Sequence, residues 1–124
     1  MQPSKARLNS QARHDDAVAI VMALRSPELE IVGITCVAGN VGIEHTSQNA
    51  LKICTLAGVT DIPVLKGMPQ PLLGNARTAA DVHGKTGLDG AELPQPTLDL
   101  HPGHAVDFLI ETFITNFLPA WHEA

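Results

Sequence analysis

The chain has 124 residues, 8 of them basic and 13 acidic, for a formal net charge of −5. That length holds one domain or part of one, and the acidic balance argues against nucleic-acid binding, which needs a basic patch. Hydrophobic residues make up 44%, which excludes wholesale disorder, and no apolar run approaches the roughly 20 residues that span a bilayer.

Residues 1–14 carry Lys5, Arg7 and Arg13 and no acid. They show neither strand nor helix periodicity and no apolar core of a secretory leader. The first predicted element is a helix opening at Asp15-Asp16, where Ala17, Ile20, Val21 and Leu24 recur at helical spacing. Asp15 suits the N-cap, and both carboxylates sit well at the positive end of the helix dipole. Ser26-Pro27 ends the helix, because the residue before a proline is pushed out of the helical region.

Leu29 to Ala38 is β-branched and nearly all apolar after Glu30. Such a run predicts a parallel strand covered on both faces. Gly39-Asn40 ends it. A second helix is predicted from Ile43 to Ala57, with Leu51, Cys54 and Leu56 towards the core and Gly58 as the residue that stops it. Ile62 to Leu65 reads as a short second strand. Helices alternating with strands predict an α/β fold with a parallel sheet. From Gly67 to Pro102 glycine and proline recur, and a loop of that length inside a domain usually serves a site. Helical spacing resumes from His104 to about Phe117, through Val106, Leu109, Ile110 and Phe113. All the aromatic residues, 3 Phe and 1 Trp, lie at or beyond Phe108, which gives the C-terminal segment a different character.

In a parallel α/β sheet, ligands bind beyond the C-terminal ends of the strands. Asp15 and Asp16 open a helix that should follow a strand. Asn40 follows the 29–38 strand, and His83 lies in the long loop. These groups are expected to converge on one crevice. Adjacent carboxylates suit a hard cation that wants oxygen ligands; a helix cap and its dipole partner need the same residues. Asn40 is equally an ordinary turn residue. His83, with Gly84 and Gly87 close by, marks a shaped loop or a solvated histidine. His14, His45, His101, His104 and His122 have no metal-ligand spacing. Cys36 and Cys54, in apolar stretches, are expected to be buried reduced thiols, not a disulfide or a metal pair. A nucleophile elbow and a phosphate-cradling glycine loop are both absent from the sequence.

Taken together, residues 14–20 (HDDAVAI), 26–29 (SPEL), 34–40 (ITCVAGN), 49–51 (NAL), 61–64 (DIPV) and 83–90 (HGKTGLDG) resemble, in order, the nucleoside hydrolase family. The resemblance covers about residues 14–112 and is nearest to the inosine–uridine- or pyrimidine-preferring ribonucleoside hydrolases. It implies a mostly parallel, Rossmann-like sheet of which residues 1–124 form the N-terminal portion. It also implies a bound calcium ion, and hydrolysis of a ribonucleoside to ribose and free base by calcium-activated water. A homodimer or homotetramer with a nucleoside as substrate belongs to the same expectation, whereas a cytoplasmic location is expected from the missing leader signal and the free thiols, and the absence of a nucleic-acid or membrane partner from the acidic charge and the short apolar runs. By position, Asp16 resembles the bidentate calcium ligand, Asp15 and Asn40 resemble ribose contacts, and His83 resembles the histidine bordering the base pocket.

The departures from the family carry more weight. Two aspartates on the family's first strand align here with Asn9 and Gln11, and its Pro-Gly turn with Ala12-Arg13. Gln11 stands in the position of the general base, and an amide takes no proton at neutral pH. Since residues 1–11 show no strand signal, the sheet is expected to lack a central member. Residues 1–13 and 113–124 diverge and the later half of the family is not present, as in a truncated or frameshifted product. The expectation is therefore a family member without turnover of its own; the alternative is a non-catalytic remnant or a subunit-binding module.

Overall fold

The computed structural model describes residues 4–10, 14–74, 86–88, 90, 92–116 and 118. Six elements follow in chain order: β1 (Ser4–Ser10), α1 (His14–Arg25), β2 (Leu29–Cys36), α2 (Ile43–Leu56), β3 (Val64–Lys66) and α3 (Ala105–Asn116). The strands form one parallel sheet in the order β1-β2-β3. This is the expected α/β class.

β1 corrects the expectation that residues 1–11 hold no strand and that the sheet lacks a member. Ser4 to Ser10 pairs in parallel with Leu29 to Cys36, with a register shift between Ala6 and Arg7. Only Ala6 and Leu8 in it are apolar, so its own sequence carries little burial signal. The pairing comes from the neighbouring β2, whose apolar run supplies the surface on which Leu8 packs. β1 occupies the edge of the described sheet and β2 its centre.

β2 is the buried strand that was expected, although it ends at Cys36 and not at Ala38. Gly33, Ile34, Thr35 and Cys36 are all buried, so both faces are covered. On one face Ile34 and Cys36 join Ile20 of α1 and Ala50, Leu51, Ile53 and Cys54 of α2 in the core. On the other face Gly33 lies under α3: a Cβ there would come within 2.5 Å of Phe108 Cζ. The absent side chain is what lets the ring sit against the strand.

α1 begins at His14, so Asp15 and Asp16 both fall in its first turn. Asp15 is thus a helical residue and not the N-cap that was expected. In α2, Leu51 and Cys54 point into the core, but Leu56 is 57% exposed, against expectation. It sits on the helix flank, outside the arc set by Ala50, Ile53 and Cys54. Gly58 ends this helix as expected, at φ +71°. Its N–H donates to the Thr55 carbonyl and that of Val59 to the Cys54 carbonyl, which is the Schellman arrangement.

The second half of the glycine- and proline-rich stretch packs closely. Leu93, Leu98 and Leu100 lie on the core, and the His101 N–H donates to the Val64 carbonyl at 2.9 Å. α3 then crosses back towards β1, where Lys5 Nζ donates to Asn116 Oδ1 at 2.8 Å. No helix among the described residues is long and apolar enough to cross a membrane.

Candidate functional site

Because the strands are parallel, their C-terminal ends share one edge of the sheet. β1 ends at Ser10, and the acidic first turn of α1 follows it; β2 ends at Cys36, and Asn40 follows it. Adjacent strands therefore bring Asp15, Asp16 and Asn40 to the same end of the fold. Asp15 is exposed and Asp16 half-buried. Both lie in the first turn of α1, at its positive end, and carboxylates can accept from hydroxyls or ligate a hard cation. Gln11 and His83 lie outside the described residues.

Asn40 sits at the tip of a tight turn in which the Gly39 N–H donates to the Val41 carbonyl at 3.1 Å. Its Nδ2 is buried without a hydrogen-bond partner among the described residues. Buried donors are nearly always paired, and leaving one unpaired costs about 1–3 kcal/mol. An amide kept in this condition is suited to donate to something that arrives.

Asn49 is the residue that sequence reasoning passed over, noting it only within residues 49–51. It is 4% exposed, and its Nδ2 donates to the Thr86 carbonyl at 2.7 Å. It thereby ties α2 to the turn at residues 86–88. Gly87 adopts φ +83° there, and a Cβ on it would lie 3.2 Å from Val41 Cγ2. The available signal was a carboxamide in the middle of the otherwise apolar or hydroxylated buried face of α2.

Among the described residues no three His, Cys, Asp or Glu side chains cluster as a metal site. Calcium takes six to eight oxygens, so Asp15 and Asp16 fall short of a complete set for it. The two thiols are no candidates for chemistry. Cys36 and Cys54 are buried and free. Burial first, and then the neighbouring Cys54, pushes the Cys36 thiol up to about 12; burial alone takes Cys54 to about 11. A thiol must ionise to attack, and these stay protonated at neutral pH. Beside the acidic turn, a groove of about 400 Å³ runs between α1 and α2, lined by His14, Val18, Met22, Leu56 and Leu88 among others. Its described wall is almost wholly apolar, with His14 the one polar side chain in it.

The family model described as inosine-uridine preferring nucleoside hydrolase matches residues 10–121. The pyrimidine-specific ribonucleoside hydrolase RihA of Photobacterium profundum is 51% identical over 96 residues, which are 77% of this chain and 31% of that protein. RihA of Escherichia coli O81 is 47% identical over 112 residues, 90% of this chain and 36% of its own length. The solved structure of a purine-preferring ribonucleoside hydrolase from Gardnerella vaginalis superposes with a TM-score of 0.83 at 34% identity, covering 90% of this chain and 37% of that one. The chain thus spans about a third of the length of the curated relatives it matches.

Proposed function

Because this chain belongs to the inosine-uridine preferring nucleoside hydrolase family, we propose that it supplies the ribose-binding part of a ribonucleoside hydrolase site. The reaction is hydrolysis of the N-glycosidic bond, giving ribose and a free base. The observation that carries the reading is the buried Nδ2 of Asn40, without a hydrogen-bond partner among the described residues, at the same sheet end as the acidic turn of α1. Asn40 donates to a ribose hydroxyl and Asp15 accepts from one. His83 borders the base. Between them they fix the sugar and its anomeric carbon, which is the part of catalysis that comes from orientation.

Asp16 is the residue that would hold a hard cation, and calcium is the cation its oxygens suit. When bound, such an ion would supply a water of lowered pKa as the nucleophile. With Asp15 and Asp16 alone short of a full set of ligands, tight binding requires oxygens beyond these two carboxylates. The water also needs a base. Gln11 occupies that position and cannot serve, and losing a general base typically removes a factor of about 10²–10⁴ in rate. The reading is therefore binding with little or no turnover by these residues alone. Two free thiols favour a reducing compartment such as the cytoplasm, and a homodimer or homotetramer is the assembly we propose with it.

A second reading is a non-catalytic chain that associates with other subunits. The amides Asn9 and Gln11 in place of acids favour it, as does an exposed apolar row on α3 formed by Val106, Ile110, Phe113 and Ile114. Calorimetric titration with calcium, then with uridine on the calcium-treated chain, separates the two. Saturable uridine heat and a raised melting temperature support the first reading; a chain that melts cooperatively yet gives no uridine heat contradicts it.

A further inference from the structure

We infer that Asn49 is a positioning residue for the Asn40 amide, holding it through the turn at residues 86–88; the inference rests on the reading of Asn40 as a ribose contact. Asn49 Nδ2 donates to the Thr86 carbonyl at 2.7 Å. The Leu88 N–H donates to Thr86 Oγ1 at 3.4 Å, and the Leu88 side chain is seated in the core. Gly87 lies between the two sides: a Cβ on it would be 3.2 Å from Val41 Cγ2 and 3.7 Å from Asn49 Nδ2. Val41 is 3% exposed, and its carbonyl closes the turn that has Asn40 at its tip.

Each contact constrains the next. A left-handed backbone at Gly87, φ +83°, is adopted readily only by glycine, so the turn has one well-defined shape. The Asn49 bond sets its distance from α2. That distance sets how closely Val41 is backed, and Val41 carries Asn40. The bond is a side-chain-to-backbone link between residues 37 apart in sequence, so no local preference would make it. A carboxamide is needed because the partner is a carbonyl. Asn49→Asp keeps the shape, but sets oxygen against oxygen where a donor stood.

The test uses the 124-residue chain labelled with ¹⁵N. The side-chain NH₂ signals of Asn40 are assigned by their loss in Asn40→Ala. In Asn49→Asp these signals should shift or broaden, while the backbone amides of β2 and β3 stay in place. Uridine affinity in the same samples should fall about tenfold, the scale of one well-placed hydrogen bond. A lower melting temperature with unchanged Asn40 signals and unchanged uridine affinity would mean that Asn49 only stabilises the fold, and would overturn the inference. Should Asn49→Asp fail to fold, Gly87→Ala pushes on Val41 from the other side. Moved Asn40 signals in that variant support the inference, and unmoved ones overturn it. If the wild-type chain shows no response to uridine, the nucleoside reading fails, and the Asn40 signals alone decide the role of Asn49.

Discussion

At Asn40 the protein keeps a buried amide nitrogen without an acceptor among the described residues. A group held for folding would be expected to improve stability. This one should do the reverse, because its desolvation is uncompensated. Asn40→Ala is therefore expected to melt at the wild-type temperature or above it, by an amount corresponding to about 0–1 kcal/mol; a fall of several degrees in a thermal melt would assign the residue to the fold. The thiols make the opposite case, as groups whose effect belongs to stability. Below about pH 9, the ordinary thiol value, folded and unfolded chains both hold the protons and the benefit of burying neutral thiols is intact. Above it the unfolded chain releases protons that the folded chain keeps, up to about 11 for Cys54 and about 12 for Cys36. Stability should fall over that window. The chain has no tyrosine, which removes one competing titration. Urea midpoints measured from pH 8 to 11 should drop more steeply for the wild type than for Cys36→Ala; parallel curves would contradict the account.

The elements were legible where a segment carries its own burial pattern. β2 reads as a doubly covered strand because Ile34, Thr35 and Cys36 follow one another without a solvent-facing gap, and Gly58 marks the end of α2 because the turn needs a positive φ. β1 was not legible, since Lys5, Arg7 and Asn9 alternate with only Ala6 and Leu8, and its pairing is fixed by β2 and not by itself. Leu56 was misplaced for the same kind of reason: apolarity says nothing about which side of a helix faces the sheet. Asp15 and Asn40 could be placed at one end of the fold because topology puts strand ends together, whereas the Asn49 bond to Thr86 spans a separation that no local pattern reveals. One packing contact makes the layer arrangement testable. Gly33→Ala would bring a Cβ within 2.5 Å of Phe108 Cζ, and overpacking of that kind typically costs about 1–3 kcal/mol. The urea midpoint should fall accordingly, and Phe108→Leu should recover part of the loss in the double variant. If Gly33→Ala proves neutral, α3 does not lie on β2 as described.

For the whole molecule, the arrangement is a parallel sheet with α1 and α2 on one face and α3 on the other, and with polar residues gathered at the strand ends. That division lets a chain spanning about a third of its relatives' length bring Asp15, Asp16 and Asn40 to one end of the sheet. β1, β2 and the turns after them are contiguous in sequence, so Asp15, Asp16 and Asn40 are positioned by contacts made within the first half of the chain. The turn at residues 86–88 completes the support through Asn49. What these residues do not provide is a base at position 11, and binding and turnover are accordingly expected to separate. The most direct measurement is a calorimetric titration of uridine, in calcium-containing buffer, into the wild-type chain and into Asn40→Ala. The account predicts saturable heat for the wild type and its loss in a variant that melts no lower. Equal binding by both, or no binding by a cooperatively folded wild type, would contradict it.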